Sequence, residues 1–376
     1  MLLNISIKFV LFIVFIFSIF PFTSGCCSIN ERANIDNSPR FTRVFCWAVV
    51  PSNEEVAKKY AQAGVTDIPV RTKKQCELAI KYGMTPYYSC FSPAGPHFQV
   101  VTPEEEQYRI YISGKDLDKK LSKEERNKII HQRRLEKKHR YGGAKDVALD
   151  VLSMDIRCFI SDTDFSYTRK KLDDILVKAV PGVKGIFFDY IGYINHQGCY
   201  CKGCLAKLKA YLKKNNLTDS ETSRNNFYKN ELIKYYNKAA EYVKSKRPEF
   251  KIVAHLYPDF HPDPLYGNRL KIDYCGQTVA WYFKWNPEKI DKYTRYVLTY
   301  AKKYYSFVEG IPFLGINSSK ATSLGYKSPA DLEKELKIIL AGNSRALMIC
   351  NGNVMIQDGY FDVFKKYCGP KKLEEK

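Results

Sequence analysis

After the first 40 residues, short apolar runs alternate with amphipathic segments along the chain. Runs such as residues 43–50 (RVFCWAVV) and 183–189 (VKGIFFD) are rich in β-branched and aromatic residues, as is typical of buried strands. The segments between the runs repeat apolar residues every three or four positions, which predicts helices with one buried face. The pattern therefore predicts strands and helices in regular alternation.

Capping signals place the ends of several predicted helices. Ser52 with Glu55, and Thr72 with Gln75, match the capping box that satisfies the first backbone N–H groups of a helix. A glycine after each of these two segments suits the left-handed residue that ends a helix. Further helices are predicted near residues 163–178, 204–246, 287–304, 328–342 and 358–367.

Eight or nine predicted strands, nearly each followed by a helix, favour an α/β fold of the (β/α)8 or TIM barrel type across residues 40–370. A doubly wound sheet is the alternative, but no glycine-rich phosphate loop follows any strand. Residues 96–146 interrupt the alternation after the third strand with a charged, mostly polar stretch. Because this stretch has too little apolar periodicity for its own core, we expect a long insertion over one end of the barrel.

The chain begins with one lysine, a nearly unbroken apolar run and small residues, which is the layout of an export signal over residues 1–25. Cys26 follows directly and is a candidate for lipid attachment. An uncleaved anchor is a third option, because the run approaches the length of a membrane span. We therefore expect a protein that is secreted or anchored to the outer face of the cell membrane, touching the membrane only through the leader or a lipid on Cys26.

The formal net charge of +20 favours anionic partners. The basic residues are spread along the whole chain, and the one concentrated run, residues 123–140, mixes both signs as a solvated helix does. No RNA-binding or helix-turn-helix signature accompanies it, so nucleic acid is not an expected partner.

Asp189 ends the apolar strand VKGIFFD, at the point where a barrel strand gives way to its βα loop. In barrels of this type the loops after the strands converge on one face and carry the active site. Burying a carboxylate beside an apolar strand destabilises the fold unless the group has an ion-pair or hydrogen-bond partner, and such a residue is retained when it has a function. Asp189 is therefore the first candidate for catalysis. A helix-capping or ion-paired aspartate is the structural alternative.

Residues 185–212 (GIFFDYIGYINHQGCYCKGCLAKLKAYL) resemble the fourth-strand region of (β/α)8 glycoside hydrolases and hydrolase-like proteins, and more distantly of the family 42 β-galactosidases. There a strand ending in acidic or amide residues precedes a C-Y-C-x-x-C cluster, and family 42 enzymes complete a zinc site with an upstream cysteine. The resemblance implies that Cys158, in DIRCFISDTDFSYTRKKL, joins the cluster. It also implies a carbohydrate as partner.

The chain departs from the family 42 pattern at the end of this strand. Those enzymes carry an Asn-Glu pair with the glutamate as acid/base, whereas this sequence has Asp189 and Tyr190. Asp189 lies ten residues before Cys199, at the amide position, so the galactosidase mechanism does not transfer unchanged. In the hydrolase-like group an aspartate stands there, and in several other barrel glycosidases it is the nucleophile.

Glycoside hydrolysis needs a second carboxylate on the other side of the scissile bond. Asp259, in HLYPDFHPD after the fifth strand, and Glu309, in SFVEGIPF near the seventh, are the candidates. Glu309 qualifies only if its strand ends there; if GIPFLGI is the strand, Glu309 lies on the opposite face. Asp155 and Asp273 are weaker candidates with an expected structural role.

Aromatic side chains near strand ends are candidate sugar platforms, because the apolar face of a pyranose stacks on a ring. For His255 a core position is the alternative. The candidate substrate-binding residues are Tyr190, Tyr193, His255, Tyr257, Trp281 and Tyr282.

Cys199, Cys201 and Cys204 place three thiols within six positions, a spacing that suits one soft metal ion. Structural zinc takes a closed tetrahedral set, so a fourth ligand is required. Spacing alone leaves Cys158, Cys90, Cys275 and His196 open, and the resemblance favours Cys158. A redox C-x-x-C pair or a disulfide is the alternative, and no organic cofactor is expected.

These features predict an exported glycoside hydrolase-like protein that acts on a polysaccharide or glycoconjugate through paired carboxylates, with a structural zinc. The alternative is a noncatalytic carbohydrate-binding or cell-surface barrel that lost the acid pair. A third interpretation is a surface protein that binds polyanions through residues 123–140.

Overall fold

A computed structural model of the chain describes residues 40–91, 94–137, 155–189, 192–256, 260, 263, 265–282, 285–319 and 326–370. Within these ranges, only the backbone is described for residues 90, 91, 134, 135, 137 and 189. No helix among the described residues is long and apolar enough to span a membrane.

Eight parallel strands close into a barrel in sequence order, and β8 pairs with β1. The prediction of a (β/α)8 barrel is therefore confirmed, and the doubly wound alternative is wrong. The apolar segment VALDVLSMD, residues 147–155, also has the character of a strand, but it falls almost entirely outside the described residues. The strands are β1 (Arg43–Cys46), β2 (Asp67–Val70), β3 (Thr85–Phe91), β4 (Gly185–Asp189), β5 (Lys251–Leu256), β6 (Tyr274–Ala280), β7 (Glu309–Gly315) and β8 (Ala346–Cys350).

Ten α-helices occur among the described residues, together with short 3-10 helices at Phe159–Ser161, Tyr266–Arg269 and Gly352–Ile356. The α-helices are α1 (Glu54–Gln62), α2 (Lys73–Lys81), α3 (Pro103–Ser113), α4 (Lys123–Lys137), α5 (Ser166–Lys178), α6 (Lys202–Lys214), α7 (Glu221–Lys246), α8 (Pro287–Tyr300), α9 (Pro329–Ala341) and α10 (Tyr360–Tyr367).

Two sequence predictions about helix ends need correction. Asn53, not Ser52, caps α1, because its side chain accepts a hydrogen bond from the Val56 N–H. The single long helix expected over residues 204–246 is two helices, α6 and α7, since Asn216 adopts a left-handed φ of 51° and Ser220 caps α7.

The insertion after β3 contains two contacting helices, α3 and α4. Arg133 of α4 donates to the Tyr111 carbonyl at 3.0 Å and to Asp116 at 2.7 Å. Arg126 donates to the Gly114 carbonyl. Arginine side chains of α4 therefore join the two helices through two backbone carbonyls and one carboxylate.

The barrel lumen is filled by a cluster of apolar, largely aromatic side chains. The Trp47 ring stacks on Phe187 with centroids 4.6 Å apart, and Phe187 stacks on Tyr87 at 4.8 Å. Large rings in contact bury much apolar area, so the lumen is a packed core and not a pore. The other buried members of this cluster are Phe45, Val253, Trp281, Ile311, Phe313, Ala346, Met348 and Cys350.

Candidate functional site

Asp189 is the last residue of β4 and stands in register with Phe91 of β3. It follows Phe187, whose ring lies in the lumen, by two positions. Its backbone therefore lies at the carboxyl end of the barrel, where βα loops converge. The Asp189 carboxylate itself is outside the described atoms.

Glu309 lies at the other end of the barrel. It is the first residue of β7, it stands opposite Tyr274 at the start of β6, and its N–H donates to the Asp273 carbonyl. The condition for a catalytic role, a strand ending at Glu309, is not met, because the apolar residues after it form the strand. Asp259, the other candidate, lies outside the described residues.

Asp273 and Asp155 have structural partners. The Asp273 carboxylate accepts from Lys251 at 2.8 Å and from the Ile252 N–H at 2.9 Å, and Lys244 lies 2.9 Å away. Burial opposes ionisation of Asp273, but these partners outweigh it and hold its pKa below the usual value. Asp155 is exposed and pairs with Arg109.

His255 lies inside the lumen, fully buried, near the carboxyl end of β5. Its ring stacks on Phe313 with centroids 3.3 Å apart, and Trp281 lies at 5.7 Å. The Nε2 atom is 3.1 Å from the Thr278 hydroxyl. Burial, with a smaller contribution from the nearby His196, lowers the pKa of His255, so the ring is neutral at pH 7.

The remaining predicted sugar platforms differ in their surroundings. Trp281 is buried in the lumen, and the half-buried Tyr282 has its hydroxyl 3.0 Å from the Cys350 sulfur. Tyr193 is fully buried beside Phe159, and its hydroxyl donates to the Tyr228 carbonyl at 2.7 Å. The structure thus places Tyr193 in the core and not at a surface open to a sugar. Tyr190 and Tyr257 lie outside the described residues.

A small recess opens at the carboxyl ends of β1 to β4. Its wall includes Trp47, Arg71, Ser89 and Phe187, and its volume is about 20 Å³. Neither Arg71 nor Ser89 is among the site residues predicted from the sequence. Arg71 carries a usable signal, because it is a charged residue directly after the apolar end of the second strand.

The four cysteines of the predicted metal site come together. The sulfur atoms of Cys158, Cys199, Cys201 and Cys204 all lie within 4.8 Å of one another, and all four residues are buried. Two of the sulfurs accept hydrogen bonds from the backbone. The Val100 N–H donates to the Cys199 sulfur and the Cys204 N–H donates to the Cys201 sulfur, each at 3.4 Å. Such donors stabilise thiolates, the form that binds metal.

The electrostatics of the cluster also favour a thiolate. Hydrogen bonds from the Cys199 and Cys204 thiols lower the pKa of Cys158 below its ordinary value. The same contacts with Cys158 raise the pKa values of Cys199 and Cys204, because a second negative charge so close is unfavourable. Four buried sulfurs with a shared negative charge form a donor set that fits a soft, tetrahedral metal ion.

Two polar side chains of the 95–105 segment hold the loop between Asp189 and the cysteines. Gln99 accepts from the Ile194 N–H at 2.8 Å and donates to the Gly192 carbonyl at 3.0 Å. Glu105 accepts from the Asn195 amide at 3.0 Å. These contacts join residues more than 85 positions apart, and no short-range sequence pattern signalled them.

Neither a protein-family model nor a curated protein matches the sequence. Among solved structures, the glycoside hydrolase domain of PgaB (BpsB) from Bordetella bronchiseptica has a TM-score of 0.50 at 10% identity. The similarity covers 89% of this chain and 99% of that one. The chain therefore shares the fold of that domain.

Two larger enzymes show weaker similarity. Alpha-L-fucosidase isoenzyme 2 from Paenibacillus thiaminolyticus has a TM-score of 0.47 at 13% identity, over 88% of this chain and 49% of that chain. A β-galactosidase from Bacillus circulans sp. alkalophilus has a TM-score of 0.47 at 12% identity, over 83% and 50%. The chain spans about half the length of these two enzymes. At such identities similarity extends to the fold alone.

Proposed function

We propose that the protein is an exported glycoside hydrolase that acts on a polysaccharide or glycoconjugate. The observation that carries the proposal is the position of Asp189 at the carboxyl end of β4 in a closed parallel barrel. Active sites of such barrels are built at that end. The net charge of +20 favours an anionic glycan over a cationic one.

In this proposal Asp189 is one of two carboxylates that flank the scissile bond. One carboxylic acid protonates the leaving oxygen, while the other carboxylate attacks the sugar or activates water. Asp259 is the remaining candidate for the second group, because it follows β5 by three residues on the loop side of Leu256. Glu309 is excluded by its place at the amino end.

The four cysteines would hold a zinc ion as a structural centre. Four thiolates leave no open coordination position, so the metal supplies rigidity and not a reactive water. The residues around the cluster fix the loop from Gly192 to Cys199, which begins just after Asp189. The export signal of residues 1–25 and a location outside the cell belong to the same proposal.

The test is hydrolysis of a panel of polysaccharides and glycoconjugates by the wild type and by Asp189→Asn. We expect the substitution to lower the rate by about 1,000-fold or more, because it removes a group that acts in the transition state. Asp291→Asn, an exposed residue paired with Arg295 on α8, is the matched control and should keep the full rate. Equal rates for wild type and Asp189→Asn would refute the catalytic role.

One observation favours a noncatalytic carbohydrate-binding protein as the second candidate. Among the described residues that end a strand or directly follow one, Asp189 is the only one with a carboxylate. If wild type and Asp189→Asn bind the same glycans equally and neither releases product, this second function is correct.

A further inference from the structure

The recess at the carboxyl ends of β1 to β4 is sized for a substituent of a sugar and not for the ring. Its volume is about 20 Å³, while one water molecule needs roughly 10–15 Å³ measured the same way. A carboxylate or sulfate group on a sugar is a candidate of suitable size. The ring that carries it would remain outside.

The polar side chains among the described residues of the wall carry hydrogen-bond donors. Arg71 is exposed, and no described carboxylate forms an ion pair with its guanidinium group; its backbone N–H donates to Gln75. Ser89 adds a hydroxyl from β3. Among the described residues that line the recess, none is acidic. The planar guanidinium fork matches the two oxygens of a carboxylate or sulfate, so this chemistry selects an anion.

The register of the strands places the recess beside Asp189. Ser89 pairs with Phe187, and Val70, which precedes Arg71, pairs with Tyr88. Asp189 follows Phe187 by two residues, a rise of roughly 6.5 Å along the strand. A group held in the recess therefore belongs to a sugar at or next to the one that reaches Asp189.

We propose that this recess is a specificity site for an acidic sugar, with Arg71 binding the carboxylate of a uronic acid or a sulfate and Ser89 donating a second hydrogen bond. The inference rests on the proposed function only in taking Asp189 to mark the substrate site. It assigns the preference for anionic glycans to one side chain and not to the general positive charge of the surface.

The test measures binding in the Asp189→Asn background, so that turnover does not consume the ligand. The probes are a galacturonic acid hexamer with its methyl ester, and a sulfated galactan hexamer with its desulfated form. We expect the acidic form of one pair to bind about 10-fold more tightly than its neutral form, as charge-assisted hydrogen bonds allow. The preferred pair identifies the acidic group.

Substitutions in the recess should remove this preference. Arg71→Gln is expected to lower the affinity for the acidic probe about 10-fold and to leave the affinity for the neutral probe unchanged. The affinity of Arg71→Lys for the acidic probe should lie between those of the wild type and Arg71→Gln, because lysine keeps the positive charge but lacks the planar guanidinium group. Ser89→Ala should cost about 3-fold. Lys209→Gln, an exposed lysine on α6, changes the net charge equally and should alter affinity less than 2-fold.

The outcomes separate this inference from the proposed function. If Arg71→Gln and Lys209→Gln lower the affinity for the acidic probe equally, or if acidic and neutral probes bind equally well, the recess is not a specificity site. The proposal that the protein is a hydrolase would still stand. If binding of the acidic probe depends on Arg71 but the wild type hydrolyses no glycan, the specificity site is supported and the hydrolase proposal is refuted. If the protein binds none of the four probes, the proposed specificity site is refuted. Hydrolysis of the glycan panel then tests the proposed function separately.

Discussion

The two ends of the barrel use charge in opposite ways. At the amino end, charged side chains at or beside the first residues of the strands pair with one another, as Arg43 does with Asp67 and Lys251 with Asp273. At the carboxyl end, Arg71 faces a recess without a described carboxylate partner. Paired charges stabilise a fold, whereas a charge left for solvent is available to a ligand.

The amino end shows how completely a charge can be satisfied. Arg43 donates to both Asp67 oxygens, at 3.1 and 2.8 Å, and its guanidinium lies 4.0 Å from the centre of the Tyr274 ring. Asp67 also accepts from the Thr66 hydroxyl at 2.6 Å. These contacts leave little for a ligand to gain, so we assign this end to stability.

The carboxyl end depends on long-range supports instead. Gln99 and Glu105 hold the loop after β4 from a distant segment, and Cys158, also distant in sequence, meets Cys199, Cys201 and Cys204 at the end of that loop. Breaking those supports should therefore disturb the proposed site, while breaking the amino-end pairs should lower stability without affecting ligand binding. Three experiments follow from this contrast, in decreasing order of expected effect.

Removal of metal from the cysteine cluster should have the largest effect. We expect the purified protein to contain one zinc per chain and a chelator to lower its free energy of unfolding by about 4 kcal/mol, the value for a site held at 1,000 times its dissociation constant. Metal analysis measures the zinc content, and unfolding with and without chelator measures the change in stability. Cys204→Ala should lose the metal and the response to chelator.

Cys275→Ala is the control for this experiment, because Cys275 is buried but lies outside the cluster. It should retain one metal and the full response to chelator. If the wild type carries no metal, or if Cys204→Ala responds to chelator as the wild type does, the cluster is not a metal centre.

The carboxyl end should also be the first to weaken in acid. Burial lowers the pKa of His196, in the loop after β4, to about 4, compared with 6.5 for the unfolded chain. Between these values the unfolded chain binds a proton that the folded chain does not. Stability from this group is therefore present above pH 6.5 and is lost as the pH falls towards 4, by about 2–3 kcal/mol.

The amino end behaves differently in the same range. The pKa of Asp273 is depressed, so its contribution is complete above the unfolded value near 3.8 and is lost only below it. His196→Asn should reduce the loss of stability between pH 6.5 and 4, because asparagine tolerates the left-handed φ of 58° at this position. The exposed His131→Asn is the control, and identical pH profiles for both variants would contradict this assignment.

Asp67→Asn at the amino end should have the smallest effect of the three. Asp67 is 2% exposed and Arg43 is 30% exposed, so loss of the charge should cost about 2 kcal/mol, less than for a fully buried pair. Urea unfolding measures this value. Asp291→Asn, which breaks an exposed pair, should cost under about 0.5 kcal/mol.

Binding of the acidic probe separates the two ends of the barrel. Asp67→Asn should leave that binding within about 2-fold of the wild type, because Asp67 lies at the far end of its strand from the recess. A large loss of binding without a loss of stability would show that the amino end is not purely structural.

Local patterns predicted the fold but only part of the site. The apolar run ending at Asp189 and the spacing of Cys199, Cys201 and Cys204 depend on neighbouring residues, so they can be read from the sequence. The failure at Glu309 came from one ambiguous strand boundary, since the residues on both sides of it are apolar. The roles of Gln99 and Glu105 could not be predicted, because tertiary folding alone brings them to the loop after β4.

The cysteine cluster also has a consequence for the order of folding. The contact between Cys158 and Cys204 joins residues 46 positions apart, and the hydrogen bond from Val100 to Cys199 spans 99 positions. Closing loops of this length costs chain entropy that local contacts do not recover. We therefore expect the cluster to form only after the segments that carry Val100 and Cys158 have packed beside the loop after β4, so that uptake of metal would report this late step.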